Sequence, residues 1–134
     1  MKLTRLRVCQ EVDQRLSQLK ARTGLTPNLL CRIGFCLSIN NPAVPNPINY
    51  PPDSQREINR YTLTGEWDDM FVALMRERCL HDKLELEQDL DDQFRAHVNR
   101  GVLTLYLKVK SLGDLAQLLQ QVNPMAIIDS NPNT

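Results

Sequence analysis

KARTGLTPNLLCRIGFCL, residues 20–37, is the stretch whose reading sets the fold. Ala21, Arg22 and Thr23 close one helix. Gly24 supplies the left-handed residue that stops it, because glycine has no Cβ to oppose that conformation. Thr26 stands at the cap position of a second helix, with Pro27 in its first turn, where a missing N–H breaks no hydrogen bond. Leu29, Leu30, Ile33 and Leu37 recur at helical spacing and predict its buried stripe. The stretch is a helix–turn–helix.

Toward the N-terminus, Glu11 to Thr23 reads as the first helix, with Val12, Leu16 and Leu19 on its apolar side. Glu11 and Asp13 lie near the positive end of its dipole, and Lys20 and Arg22 near the negative end, an order that stabilises the helix. Lys20 and Arg22 equally suit phosphate, beside the free N–H groups at the start of the next helix. Leu3 to Val8 alternates, with Thr4, Leu6 and Val8 on one face and Leu3, Arg5 and Arg7 on the other, which predicts a short strand. Its expected partner is the same strand of a second copy. Residues 1–38 would then form a ribbon–helix–helix-like unit that presents Arg5 and Arg7 to the major groove. Arginine's planar fork can donate two hydrogen bonds to a base edge or a phosphate. A disordered basic arm is the competing reading.

Downstream, NNPAVPNPINYPP (residues 40–52) carries five prolines and four asparagines, so the segment 39–53 is read as an irregular loop. From 54 to 122 a small helical part is expected. Arg56 and Arg60 would share a face if DSQREINRYTLT is helical, with Glu57 between them able to pair with either. Gly65 breaks the chain, and Glu66, Asp68 and Asp69 open a helix to about His81, with Met70 or Phe71, Leu74, Arg78 and Cys79 inward. DKLELEQDLDD, residues 82–92, is too acidic for a core and reads as a solvated connection. Phe94 to Lys110 forms another helix, weakened by Gly101, with Phe94, Val98, Leu105 and Val109 inward. Ser111 caps a last one, Leu112 to Val122, with Leu115, Leu118 and Leu119 apolar, and residues 123–134 read as a flexible tail. The fold class is mainly α, one domain over residues 1–122.

At 134 residues, 42% hydrophobic and 24% charged, the chain suits one soluble globular domain. MKLTRLRV has no apolar signal core, and a cytoplasmic location is expected. Cys9, Cys31, Cys36 and Cys79 are scattered, as expected of small buried apolar residues in a reducing compartment. The formal net charge is zero, but residues 1–60 hold nine Lys/Arg against four Asp/Glu, and residues 61–134 seven against twelve. A polyanion is therefore expected at the first half only. No Gly-rich phosphate loop, paired CxxC or Ser-His-Asp order is present, and His81 and His97 stand isolated. No metal or cofactor is expected.

RTGLTPNLLCRIGFCLS (residues 22–38), YPPDSQREINRYTLTGEWD (50–68), and FRAHVNRG with VKSLGDLAQL resemble the DndE family of DNA sulfur-modification proteins, over nearly the whole chain to about residue 122. The resemblance implies a small non-catalytic subunit of the machinery that replaces a non-bridging phosphate oxygen of DNA with sulfur. It implies a ribbon–helix–helix-like part, assembly into a homotetramer, binding to duplex DNA with a preference for nicked duplex, and work alongside other sulfur-modification proteins. The DNA-binding candidates are Arg5, Arg7, Lys20 and Arg22, then Arg32, Arg56 and Arg60. Arg32 has a competing role in a salt bridge within the oligomer, and Arg56 and Arg60 in pinning a corner between subunits. Two other functions stand beside this one: an adaptor whose acidic half docks the partner proteins, and a nicking nuclease using Glu66, Asp68 and Asp69 with Mg²⁺.

Overall fold

The computed structural model describes residues 1–121. Two short strands, β1 (Arg5–Arg7) and β2 (Glu57–Asn59), accompany six helices: α1 (Gln10–Thr23), α2 (Pro27–Ile39), α3 (Arg60–Thr64), α4 (Asp68–His81), α5 (Leu86–Lys108) and α6 (Leu112–Gln121). The chain is mainly α with a small helical bundle, as its sequence indicates. The last residue of the expected final helix and the expected tail lie outside the described residues. Among the described residues no helix is long and apolar enough to cross a membrane.

The strand at the N-terminus finds its partner inside its own chain. β1 pairs antiparallel with β2, Leu6 opposite Ile58, and both of these side chains are buried. The expectation that β1 lacks a partner within its own chain is thus corrected: the pair closes over a separation of some fifty residues. A helix over DSQREINRYTLT would put Arg56 and Arg60 on one face, but helix is confined to Arg60–Thr64 and β2 precedes it. Arg56 and Arg60 therefore do not share a helical face. Asn59 makes the switch: its side-chain oxygen accepts from the N–H groups of Tyr61 and Thr62, capping α3 directly after the strand.

The helix–turn–helix stands where the sequence puts it. Gly24 takes φ +76° and returns its N–H to the Lys20 carbonyl at 2.8 Å. Thr26 holds the cap position of α2 without a side-chain cap bond. The buried face of α2 is rotated from the expected one. Leu30, Cys31, Gly34, Phe35 and Ser38 are buried, whereas Leu29 is 39% exposed and Ile33 and Leu37 only half-buried. The reason is Gly34. α5 meets α2 there so closely that a Cβ on Gly101 would fall 1.8 Å from the Gly34 carbonyl oxygen. Two glycines set the axis of contact, and a hydropathy pattern does not register glycine as core.

Phe35 forms the centre, its ring 5.2 Å from that of Phe71 and 5.3 Å from that of Phe94. On α4, Phe71, Met75, Arg78 and Cys79 turn inward; of the pair Met70 or Phe71 it is Phe71 that is buried, while Leu74, expected inside, is exposed. The acidic segment read as a connection is mostly helix: α5 begins at Leu86 and already buries Leu90. Its acids, Glu87 and Asp89, occupy the first turn, where the dipole favours them. Ser111 caps α6 as expected, its hydroxyl accepting from the Asp114 N–H at 3.2 Å; Leu115 is buried but Leu119 is exposed. Cys9, Cys31 and Cys79 are buried; Cys36 is exposed, contrary to expectation.

Proline has no N–H to donate, so the loop after α2 offers mainly carbonyls, and side chains from the bundle take them. Arg78 donates to the Ile39 and Ala43 carbonyls, Arg100 to those of Ser38 and Ala43, Gln93 to that of Pro45 and Arg95 to that of Tyr50. One short 3₁₀ turn, Pro47–Asn49, interrupts the otherwise irregular course.

His97 is completely buried beside this clamp. Arg100 Nε donates to the Ser38 hydroxyl at 2.8 Å, and that hydroxyl lies 2.8 Å from His97 Nδ1. With Nδ1 accepting from Ser38 the ring proton sits on Nε2, a buried atom that has no hydrogen-bond partner among the described residues. Burial, with Arg100 and Arg78 nearby, pushes His97 from 6.5 down to about 3. Below the ordinary histidine pKa the unfolded chain takes up a proton that the folded chain refuses. The contribution to stability is thus complete above pH 6.5 and lost as the pH falls toward 3. Urea unfolding across that window is expected to show stability falling by up to about 1.4 kcal/mol per pH unit from this group, a slope that His97→Gln removes.

Candidate nucleic-acid interface

The seven basic residues singled out in the sequence have different surroundings. Arg5 and Arg7 leave the outer side of β1 and share one acid, Glu57, at 3.6 and 2.8 Å. Arg7 also donates to the Ser54 carbonyl at 2.9 Å, while the Arg5 side chain stays 72% exposed. Glu57 thus serves the strand opposite, not Arg56 or Arg60. Arg56 is held by Asp13 at 2.6 Å and Ser17 at 3.2 Å on α1. Arg32 turns its Nε to the Leu63 carbonyl at 2.8 Å, a contact inside the chain. Arg60 is buried, donating to the Met1 and Leu3 carbonyls, the Tyr61 hydroxyl and both oxygens of Asp68. The corner it pins lies within one subunit.

Lys20 and Arg22 remain, and Arg22 stands in company the sequence reading missed. Arg15 and Arg22 are seven residues apart on α1, two turns, and so share a face. Their guanidinium carbons lie 4.3 and 4.5 Å from the centre of the Tyr106 ring on α5, and Lys110 Nζ lies 5.1 Å from it. Both arginines also reach the Tyr106 hydroxyl, at 3.4 and 3.2 Å. The hydrogen bond from Arg22, outweighing the small effect of burial and helped by Arg15 and Lys110, lowers the Tyr106 pKa. Arg22 further donates to the Val109 carbonyl at 3.4 Å, and Arg15 to Gln18 at 3.0 Å.

Among the described residues, no carboxylate forms an ion pair with Arg15, Arg22 or Lys110. Asp114, the nearest along the chain, takes the Lys110 backbone N–H at 2.9 Å. Three cations on one ring repel one another, and an anion resolves that repulsion. The cluster also joins the two halves of the chain: Lys110, from the acidic half, completes it, so the cationic surface is not confined to residues 1–60. The seven-residue spacing of Arg15 and Arg22 was visible in the sequence. Their meeting with Tyr106 and Lys110 was not.

Asp68, one of the three acids considered for a metal, has Oδ1 on Arg60 Nε and the Thr64 hydroxyl and Oδ2 on Arg60 Nη2. Among the described residues no group of three or more His, Cys, Asp or Glu side chains is arranged to hold a metal.

The family described as DNA sulphur modification protein DndE matches residues 5–112. The chain belongs to the DndE family. Among solved structures, DndE from Escherichia coli B7A, described as involved in DNA phosphorothioation modification, is 26% identical with a TM-score of 0.63, covering 78% of this chain and 99% of that one. A DndE mutant involved in DNA phosphorothioation shares the fold at 23% identity, with a TM-score of 0.62 and the same coverage of both chains. A comparison with curated proteins finds no match. The matched family segment spans all the contact residues of the Tyr106 cluster, and the chain's involvement in DNA phosphorothioation follows from the family.

Proposed function

We propose that this chain is a non-catalytic DNA-binding subunit of the phosphorothioation machinery, acting in the cytoplasm as a homo-oligomer, tetrameric by the family resemblance. It needs no cofactor. Its ligand is duplex DNA, nicked duplex preferred, and its partners are the other sulfur-modification proteins. The observation that carries the reading is the cluster of Arg15, Arg22 and Lys110 around Tyr106, unpaired with any described carboxylate. Lys20 and Arg5 are exposed as well, Arg5 beside Glu57. Arg56 and Arg60 are committed to internal partners and serve the fold that presents it.

One such cluster neutralises few phosphates. Symmetric copies place several clusters on one duplex, which multiplies affinity without a strongly basic chain. Support for assembly comes from the start of α4, where Trp67, just before the helix, and Met70 and Leu74 within it follow at three and four and are 50%, 52% and 41% exposed. A nick lets the duplex bend, so copies on a curved surface engage it more fully. The hold of Arg60 and Thr64 on Asp68 favours this reading over a Mg²⁺-dependent nuclease.

Fluorescence anisotropy of nicked and intact duplexes over a salt series tests the proposal. The logarithm of affinity is expected to fall linearly with that of salt. The combined Arg15→Gln, Arg22→Gln, Lys110→Gln variant is expected to bind at least ~10-fold more weakly, with a slope shallower by about 2–3 per chain engaged. Unchanged affinity in that variant, with the thermal melt intact, removes the cluster as the DNA site.

A further inference from the structure

We infer that the Tyr106 cluster is a seat for a terminal phosphomonoester of a nucleic-acid strand, a dianion, rather than for the singly charged diester of a continuous backbone. The inference rests on the DNA-binding reading and names the group that the site selects.

Charge is the first argument. Three cations within 5.1 Å of one ring centre, with no described carboxylate paired to them, leave a local excess that one diester charge satisfies only in part. A phosphomonoester has a second pKa of about 6 and carries nearly two charges at neutral pH. Each added charge gains from all three cations at once, so the preference grows with the number of cations that converge.

Geometry is the second. Arg15 and Arg22 stand two turns apart on α1, and Lys110 lies two residues beyond the end of α5. Each guanidinium has five N–H groups, and only a few are occupied: Arg15 on Gln18 and Tyr106, Arg22 on Val109 and Tyr106. The donors left over belong to three side chains gathered on one ring. A terminal phosphate offers three free oxygens, against the two non-bridging oxygens of a diester. Tyr106 anchors the arrangement by accepting from both arginines, and its ring, already flanked by cations, is a poor platform for a base. The site thus reads charge and oxygen count, not base identity.

A nick with a 5′-phosphate presents such a group inside a duplex; a nick with a 5′-hydroxyl presents the same break without it. Anisotropy with both, and with an intact duplex lacking terminal phosphates, separates terminal-phosphate recognition from duplex binding. The 5′-phosphorylated nick is expected to bind about tenfold more tightly than the 5′-hydroxyl nick at low salt. In Arg15→Gln/Arg22→Gln that ratio falls to about one, while Tyr106→Phe, which keeps the ring and loses the acceptor, lowers it partially. Equal binding of the two nicks by the wild-type protein overturns the inference and leaves duplex binding standing. Absence of any duplex binding overturns both. Inorganic phosphate is the competitor arm: displacement of the phosphorylated nick at equimolar phosphate would assign the seat to the free ion and overturn the nucleic-acid assignment.

Discussion

Gly101→Ala is expected to unfold this protein or to cost more than ~3 kcal/mol, the upper end for overpacking a core. Two effects of opposite sign compete at this position. Alanine favours a helix interior over glycine by about 1 kcal/mol, which alone would stabilise α5. Against it, the new methyl would stand 1.8 Å from the Gly34 carbonyl oxygen and 2.1 Å from its carbon, both backbone atoms that cannot rotate away. α2 and α5 must separate, and Phe35, Val98 and Val102, buried alongside, lose their packing. The steric effect wins. Gly34→Ala brings its methyl 2.8 Å from the Gly101 carbonyl carbon and is expected to rank second. Gly113→Ala, with only the Ser111 hydroxyl at 3.6 Å, is expected to be neutral or to stabilise by up to ~1 kcal/mol. Denaturant midpoints of the three variants give the order directly. A Gly101→Ala protein as stable as the wild type would mean that the two helices do not cross at this point.

The second large effect is expected at Arg60. Its side chain is 8% exposed and faces an Asp68 side chain 18% exposed, in a two-point pairing of Nε with Oδ1 and Nη2 with Oδ2. The remaining donors hold the Met1 carbonyl at 3.0 Å and the Leu3 carbonyl at 2.6 Å, so this one residue fastens the N-terminal segment to the start of α4. Arg60→Ala leaves a largely buried carboxylate without its partner and two carbonyls without donors. The expected loss is about 3 kcal/mol or more. Arg60→Lys is expected to recover less than half of it, because an ammonium cannot span both carboxylate oxygens and both carbonyls. A double-mutant cycle with Asp68→Asn separates the pair from the carbonyl contacts. DNA affinity of folded Arg60→Lys protein is expected to match the wild type, which distinguishes a residue that builds the fold from one that meets the ligand.

Both variants bear on what was legible in the sequence. The helix–turn–helix was legible because its signals are local: Gly24 needs only its own φ, and the charges at the ends of α1 need only the helix they belong to. The buried set Val12, Leu16 and Leu19 was legible for the same reason, since one helix face repeats along one segment. The family was legible in the long blocks around residues 22–38 and 50–68, and the match over residues 5–112 agrees with it. The interface was partly legible. Arg22 and Lys20 stand out in the sequence by their place at the end of α1; Arg15 has no such mark, and Tyr106 lies more than eighty residues from either arginine.

The sequence by itself determined the helical class, the turn at Gly24 and the segregation of charge, because each depends on spacing along one element. Only the tertiary structure decided the partner of β1, the inward face of α2, and the gathering of Arg15, Arg22 and Lys110 on Tyr106. These are contacts between segments far apart in the chain. Whether a strand finds its own chain or another copy, and which side of a helix meets two glycines in close approach, is fixed by the packing of the whole.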